Sequence, residues 1–138
     1  MESNQQKGAG VNKPHRTLEV WKQAMDLVVE IYRATERFPK EERFGLVNQM
    51  RRCSISIPSN VAEGMARRAT KETVQFLYVA IGSASELDTH LELSRRLTYI
   101  SETQWESLSQ RLTDVDRMLA GLRNHMRDKS SSSPGGTP

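Results

Sequence analysis

The side chains able to do chemistry in this 138-residue chain are few, and their spacing argues against a built reaction centre. A di-iron site in a helical bundle needs a Glu-x-x-His pair on each of two helices, so that both ligands face inward. The residues three before His90 and His125 are Leu87 and Leu122, and the pattern is absent. Glu86 and His90 stand four apart, the spacing of an ordinary hydrogen bond on a helix surface; a weak mononuclear metal site is the sharper alternative. Cys53 lies on an apolar stripe with no histidine near it in sequence, which reads as core filling rather than as a nucleophile. No glycine-rich phosphate loop follows a strand. The carboxylate pairs Asp88/Glu92 and Asp114/Asp116 fall on solvated helix faces. The expectation is no catalytic residue, no metal, no cofactor and no enzymatic activity.

Charge is more informative. Residues 43–71 carry Arg43, Arg51, Arg52, Arg67, Arg68 and Lys71 against Glu63 alone, whereas residues 72–92 carry Glu72, Glu86, Asp88 and Glu92 with no lysine or arginine. Arg51, Arg52, Arg67, Arg68 and Lys71 are therefore candidates for binding a nucleic-acid backbone or a partner, since guanidinium groups match phosphate geometry. Mutual complementarity of the two segments, within one chain or between subunits, is the competing account. Aromatic residues that could stack on bases are scarce near this segment, Phe44 being the best placed.

Four periodic segments position these groups, and they predict helices near residues 17–37, 42–66, 71–98 and 102–127. The first carries two apolar stripes, Leu18/Trp21/Met25/Val28/Tyr32 and Val20/Ala24/Leu27/Ile31, and Phe38-Pro39 ends it. The second places Leu46, Met50, Cys53, Ile57, Asn60 and Gly64 on one seam, with Pro58 interrupting it. Beside the seam runs a polar stripe, Arg52, Ser56, Ser59, Glu63 and Arg67, whose hydroxyls could cover the Ser54 carbonyl freed by Pro58. Asn60 on the seam would fix helix register, and Gly64 would allow close approach of a neighbour. The third again has two stripes, Val74/Leu77/Ile81/Ala84/Leu91 and Phe76/Ala80/Leu87/Leu97. The fourth opens on the capping box Ser101-Glu-Thr-Gln104, then holds Trp105, Leu108, Leu112, Val115, Leu119, Leu122 and Met126 in strict 3,4 spacing. Short connections predict an antiparallel up-down-up-down four-helix bundle over residues 15–128, with disordered tails at 1–14 and 129–138. Double stripes exceed the need of one bundle seam and predict a homo-oligomer.

Leu18-Glu-Val-Trp21, Tyr32, Phe38-Pro39, Glu42-Arg-Phe-Gly-Leu46 and above all Ser56-Ile-Pro-Ser-Asn-Val-Ala-Glu-Gly64 resemble the small proteins encoded by intervening sequences in bacterial 23S rRNA genes. The resemblance spans about Arg16 to Met126 and makes Ser56, Pro58, Asn60, Glu63 and Gly64 its motif residues. It implies an antiparallel four-helix bundle assembled as a pentameric ring, of uncharacterised role. A related branch accompanies diversity-generating reverse transcriptases, which implies a basic ring touching nucleic acid and a protein partner such as that enzyme. Two functions fit the sequence: an oligomeric adaptor contacting RNA or DNA, and a protein-binding scaffold with no nucleic-acid role.

Composition narrows the setting. The net charge is +3, the sequence pI is about 9.2 and no run of 18 apolar residues exists, so no membrane association is expected. Met1 to Pro14 has no apolar signal-peptide core, and a single cysteine excludes an internal disulfide, which together predict a cytoplasmic protein.

Overall fold

The structure, a computed structural model, describes residues 13–131. Its helices are α1 (Glu19–Thr35), α2 (Leu46–Met65), α3 (Thr70–Arg96) and α4 (Glu102–Ser131), with single 3-10 turns at Pro14–Thr17 and Lys40–Glu42. No strand occurs among the described residues. The chain is an all-α four-helix bundle in which α1 packs on α2, α2 on α3, α3 on α4 and α4 on α1. Each neighbouring pair is antiparallel. Arg51 near the start of α2 reaches Thr35 at the end of α1, while Met50 meets Ser94 and Gly64 meets Thr73 along α2 and α3. Arg95 at the end of α3 pairs with Glu102 at the start of α4.

Burial chooses between the duplicate stripes. On α1 the inner stripe is Val20, Ala24, Leu27 and Ile31; Met25, Val29 and Tyr32 stay 37–45% exposed. On α3 the buried line mixes both expected stripes, Thr73, Leu77, Ala80, Ala84, Leu87, Leu91 and Ser94, and leaves Leu97 exposed. The α4 stripe is buried or half-buried throughout, as its heptads require. Fully buried leucine and isoleucine side chains such as Leu27, Ile57, Leu77, Leu87 and Leu119 each contribute about 1.5–3 kcal/mol of burial free energy.

The second segment departs from expectation at its start and on its seam. α2 begins at Leu46 rather than near residue 42, because Lys40–Glu42 forms a separate turn and Glu42 acts as a distant cap. The Glu42 carboxylate accepts the Leu46 N–H at 3.3 Å and the Tyr99 hydroxyl at 2.9 Å, tying the α1–α2 turn to the α3–α4 turn. Phe38 packs against Tyr99 in the same corner, with ring centroids 5.2 Å apart. Val61, not Asn60, occupies the buried seam; Asn60 is half-buried and donates to the Ser56 carbonyl and hydroxyl. It is a local clamp on α2 rather than a register device between helices. The Ser56 hydroxyl accepts from Asn60 and from Ser83 of α3, the latter at 2.8 Å. Pro58 is buried within a helix that runs on through it. The close approach expected of Gly64 is present: a Cβ there would sit 2.9 Å from Phe76 Cβ and 3.2 Å from the Thr73 carbonyl.

At the other end α4 reaches Ser131, past the expected end near residue 127 and into the segment assigned to the C-terminal tail; the rest of that tail, and residues 1–12 of the N-terminal one, lie outside the described residues. The α3–α4 turn carries Thr98 at φ 59°, the left-handed region that a β-branched residue adopts at a cost. Thr98→Gly is expected to stabilise the bundle by about 0.5–1 kcal/mol, read as a raised urea midpoint at unchanged m-value. An unchanged or lowered midpoint contradicts that account.

Candidate functional site

The five basic candidates do not form one patch. Arg51 donates to the Thr35 hydroxyl (2.9 Å) and the Tyr32 carbonyl (3.2 Å) and lies 4.4 Å over the Tyr32 ring, so it caps the end of α1 and is a structural residue. Arg52 is exposed beside a groove between α2 and α3. Arg67, Arg68 and Lys71 lie together at the α2–α3 turn, where helix geometry ends and the chain reverses.

The antiparallel topology brings two further basic segments to that turn. The N-terminal part of α1 lies along the C-terminal half of α2, where His15, Trp21 and Met25 share a groove with Pro58, Ser59 and Ala62. The C-terminal part of α4 lies along the start of α3, where Arg127 and Ser130 share a groove with Lys71 and Gln75. This pole therefore gathers Lys13, Arg16 and Lys22, then Arg67, Arg68 and Lys71, then Arg123, Arg127 and Lys129. Against them stand Glu19, Glu63, Glu72 and Asp128, an excess of five positive charges. The opposite pole, residues 33–45 and 92–106, is neutral. There Glu92 bonds both Arg95 and Arg96, which holds its carboxyl down at about 2.

Three arginines of the basic pole lie on aromatic rings, Arg16 on Trp21 (5.5 Å), Arg67 on Phe76 (4.7 Å) and Arg123 on Tyr78 (5.4 Å). The expected scarcity of aromatics near the basic segment is thus a feature of sequence distance only. A ring beneath a guanidinium orients its plane and leaves the N–H edges outward, although Arg123 spends Nε and Nη2 on the Asn124 side-chain oxygen and Arg67 spends Nη2 on Glu63. Glu63 pairs with Arg67 at 3.4 Å, an exposed contact of small energetic weight. No ion pair among the described residues joins Arg51, Arg52, Arg67 or Arg68 to Glu72, Glu86, Asp88 or Glu92. Lys13, Arg16, Lys22, Arg123 and Arg127 were not singled out by sequence reasoning. The up-down topology, applied to charges at helix ends, is the signal that finds them.

A second juxtaposition lies midway along α2 and α3. His90 is buried, with Nδ1 3.5 Å from Cys53 Sγ and Nε2 3.9 Å from Glu86. No histidine is near Cys53 in sequence, but the fold brings His90, 37 residues on, against its sulfur. Burial, aided by the Glu86 charge, pushes the Cys53 thiol up to about 12, favouring the protonated thiol. Burial lowers the His90 pKa from the ordinary 6.5, with Glu86 opposing in part. The unfolded chain then binds the proton more readily, so stability is complete above about pH 6.5 and falls as the pH drops below it. His90→Gln should flatten the urea midpoint between pH 7 and 5 relative to wild type; parallel curves contradict this.

The fold is that of a small all-α helical-bundle protein. The chain belongs to the 23S rRNA-intervening sequence protein family, whose model matches residues 16–121. The crystal structure of a protein of unknown function from the S23 ribosomal protein family of Bacteroides thetaiotaomicron superposes with a TM-score of 0.71. It is 24% identical, with 76% of this chain and 95% of that chain covered. The likeness carries the fold. A comparison with curated proteins finds no match. No helix among the described residues is long and apolar enough to cross a membrane.

Proposed function

We propose that the chain is a non-enzymatic, self-assembling bundle whose basic pole engages the phosphates of RNA or DNA. The observation that carries the reading is the polarity of charge: five excess positive charges at one pole against a neutral opposite pole. Self-assembly is supported by the outer apolar stripe of α1, with Met25, Val29 and Tyr32 exposed, and by Tyr78 and Val79 on α3. The family resemblance adds a ring of five subunits. A ring repeats the pole in every subunit, and weak phosphate contacts then add by multivalency. Recognition is of backbone, through the guanidinium and ammonium groups gathered at the pole.

A structured RNA should shift in an electrophoretic assay at low salt, and a scrambled sequence of the same fold should shift equally. Light scattering should give a mass several times the 15.7 kDa monomer. A monomer, or no shift at low salt, contradicts the reading. Phe44, 86% exposed beside the α2–α3 groove, favours a second reading in which the assembly is a protein-binding scaffold. Under that reading no RNA or DNA shifts, and Phe44→Ala weakens capture of the protein partner.

A further inference from the structure

The Cys53–His90 contact has the dimensions of one edge of a metal tetrahedron. Zinc–sulfur and zinc–nitrogen bonds of about 2.3 and 2.0–2.1 Å set at the tetrahedral angle separate the two ligand atoms by about 3.6 Å. Sγ and Nδ1 stand 3.5 Å apart. One His90 ring nitrogen, Cys53 Sγ and a Glu86 carboxylate oxygen all lie within 4.8 Å of one another; Glu86 now stands 3.9 Å from Nε2, so its carboxylate must turn towards the Nδ1 edge to share an ion with Cys53. We propose that Cys53, His90 and Glu86 form a mononuclear site for a thiolate-accepting divalent cation of the zinc class.

The donors come from two helices whose register is fixed independently. Gly64 seats against Thr73 and Phe76 at one end of the α2–α3 contact, and Met50 meets Ser94 at the other. Cys53 and His90 are held between these points with both side chains buried, so two of the three ligands are oriented before any ion arrives. Glu86 is 56% exposed and swings onto the ion at small cost. The fourth position opens to the groove of about 480 Å³ lined by Gln49, Arg52, Ser56 and Ser83, where water or an anion completes the shell.

The chemistry of the donor set selects the ion. A sulfur, an imidazole and one carboxylate favour zinc or cobalt over the hard cations magnesium and calcium. Binding replaces the Cys53 S–H bond with a metal–sulfur bond and releases that proton to solvent. The thiolate and the carboxylate then neutralise the dication, so no net charge is buried. His90 is neutral because of its burial and offers its lone pair without deprotonation. The Glu-x-x-His pattern sought in the sequence could not reveal this set, because its third ligand lies on another helix.

Cobalt reports the site directly, through absorption from thiolate-to-cobalt charge transfer in the near ultraviolet. The untagged full chain, kept reduced with a phosphine, should bind one Co²⁺ per chain with this band, release about one proton and show a raised Tm. Zn²⁺ should bleach the band by displacement. Cys53→Ser should abolish it, with helicity by circular dichroism confirming the fold. Glu86→Gln, at an exposed position, should weaken Co²⁺ affinity by at least about tenfold. Absence of the band and of a Tm shift in wild type at saturating Co²⁺ overturns the site. So does a band that survives in Cys53→Ser, or an unchanged affinity in Glu86→Gln.

Discussion

Arg67→Glu together with Arg68→Glu is expected to abolish RNA binding while leaving the assembly and its helical content intact. Both residues sit at the turn between α2 and α3, where Arg68 is exposed and Arg67 makes only an exposed pair with Glu63 and a ring contact with Phe76. Reversing both changes the pole from an excess of five positive charges to an excess of one. Each phosphate that is no longer neutralised lowers the salt slope by about one unit, and the introduced carboxylates repel the phosphates that remain. In a ring the change is repeated in every subunit, so the effect compounds rather than adds. The same reversal at Arg33 and Arg37, on the neutral pole, should have little effect on affinity. If the Arg67/Arg68 double mutant falls into monomers instead, these arginines are assembly residues that meet acids of a neighbouring subunit.

Gly64→Ala should give the largest loss of stability of any glycine change in the bundle. Its added methyl would stand 2.9 Å from Phe76 Cβ and 3.2 Å from the Thr73 carbonyl. The first obstacle is the Cβ of a packed residue and the second is helix backbone, so neither yields by rotating a side chain. The helices must part, and the Thr73 hydroxyl bond to the Gly64 carbonyl at 2.8 Å is strained with them. Overpacking of this kind costs about 1–3 kcal/mol. Gly82→Ala and Gly121→Ala are the controls, since nothing lies within 4 Å of either added methyl. Each should gain about 0.5–1 kcal/mol, the helix-propensity difference between glycine and alanine. Denaturant unfolding followed by circular dichroism compares the three, and a Gly64→Ala midpoint equal to wild type would contradict the close approach.

What the sequence made legible depended on how singular each periodicity was. The heptads of α4 have one apolar line and one capping box, and both the Ser101/Gln104 exchange and the burial of Leu108, Leu112, Val115 and Leu119 follow. On α1 and α3 two stripes share the same 3,4 spacing, about 100° apart, and periodicity has no means to choose which turns inward. The same ambiguity put Asn60 on the seam in place of its neighbour Val61. The start of α2 was obscured because its capping carboxylate, Glu42, stands four residues upstream inside a separate turn. The basic pole and the Cys53/His90/Glu86 cluster share another reason. Their members are distant in sequence, and only the register between helices makes them neighbours.

The central claim is that a repeated basic pole binds nucleic-acid backbone, and the salt dependence of affinity tests it most directly. Fluorescence anisotropy of a labelled structured RNA against the wild-type assembly, from roughly 50 to 200 mM salt, gives the slope of log K on log salt. The account predicts a steep linear fall, on the order of 10³-fold or more across that range if six or more phosphates are engaged. Affinity that does not change with salt, or no binding at the lowest salt, would contradict it.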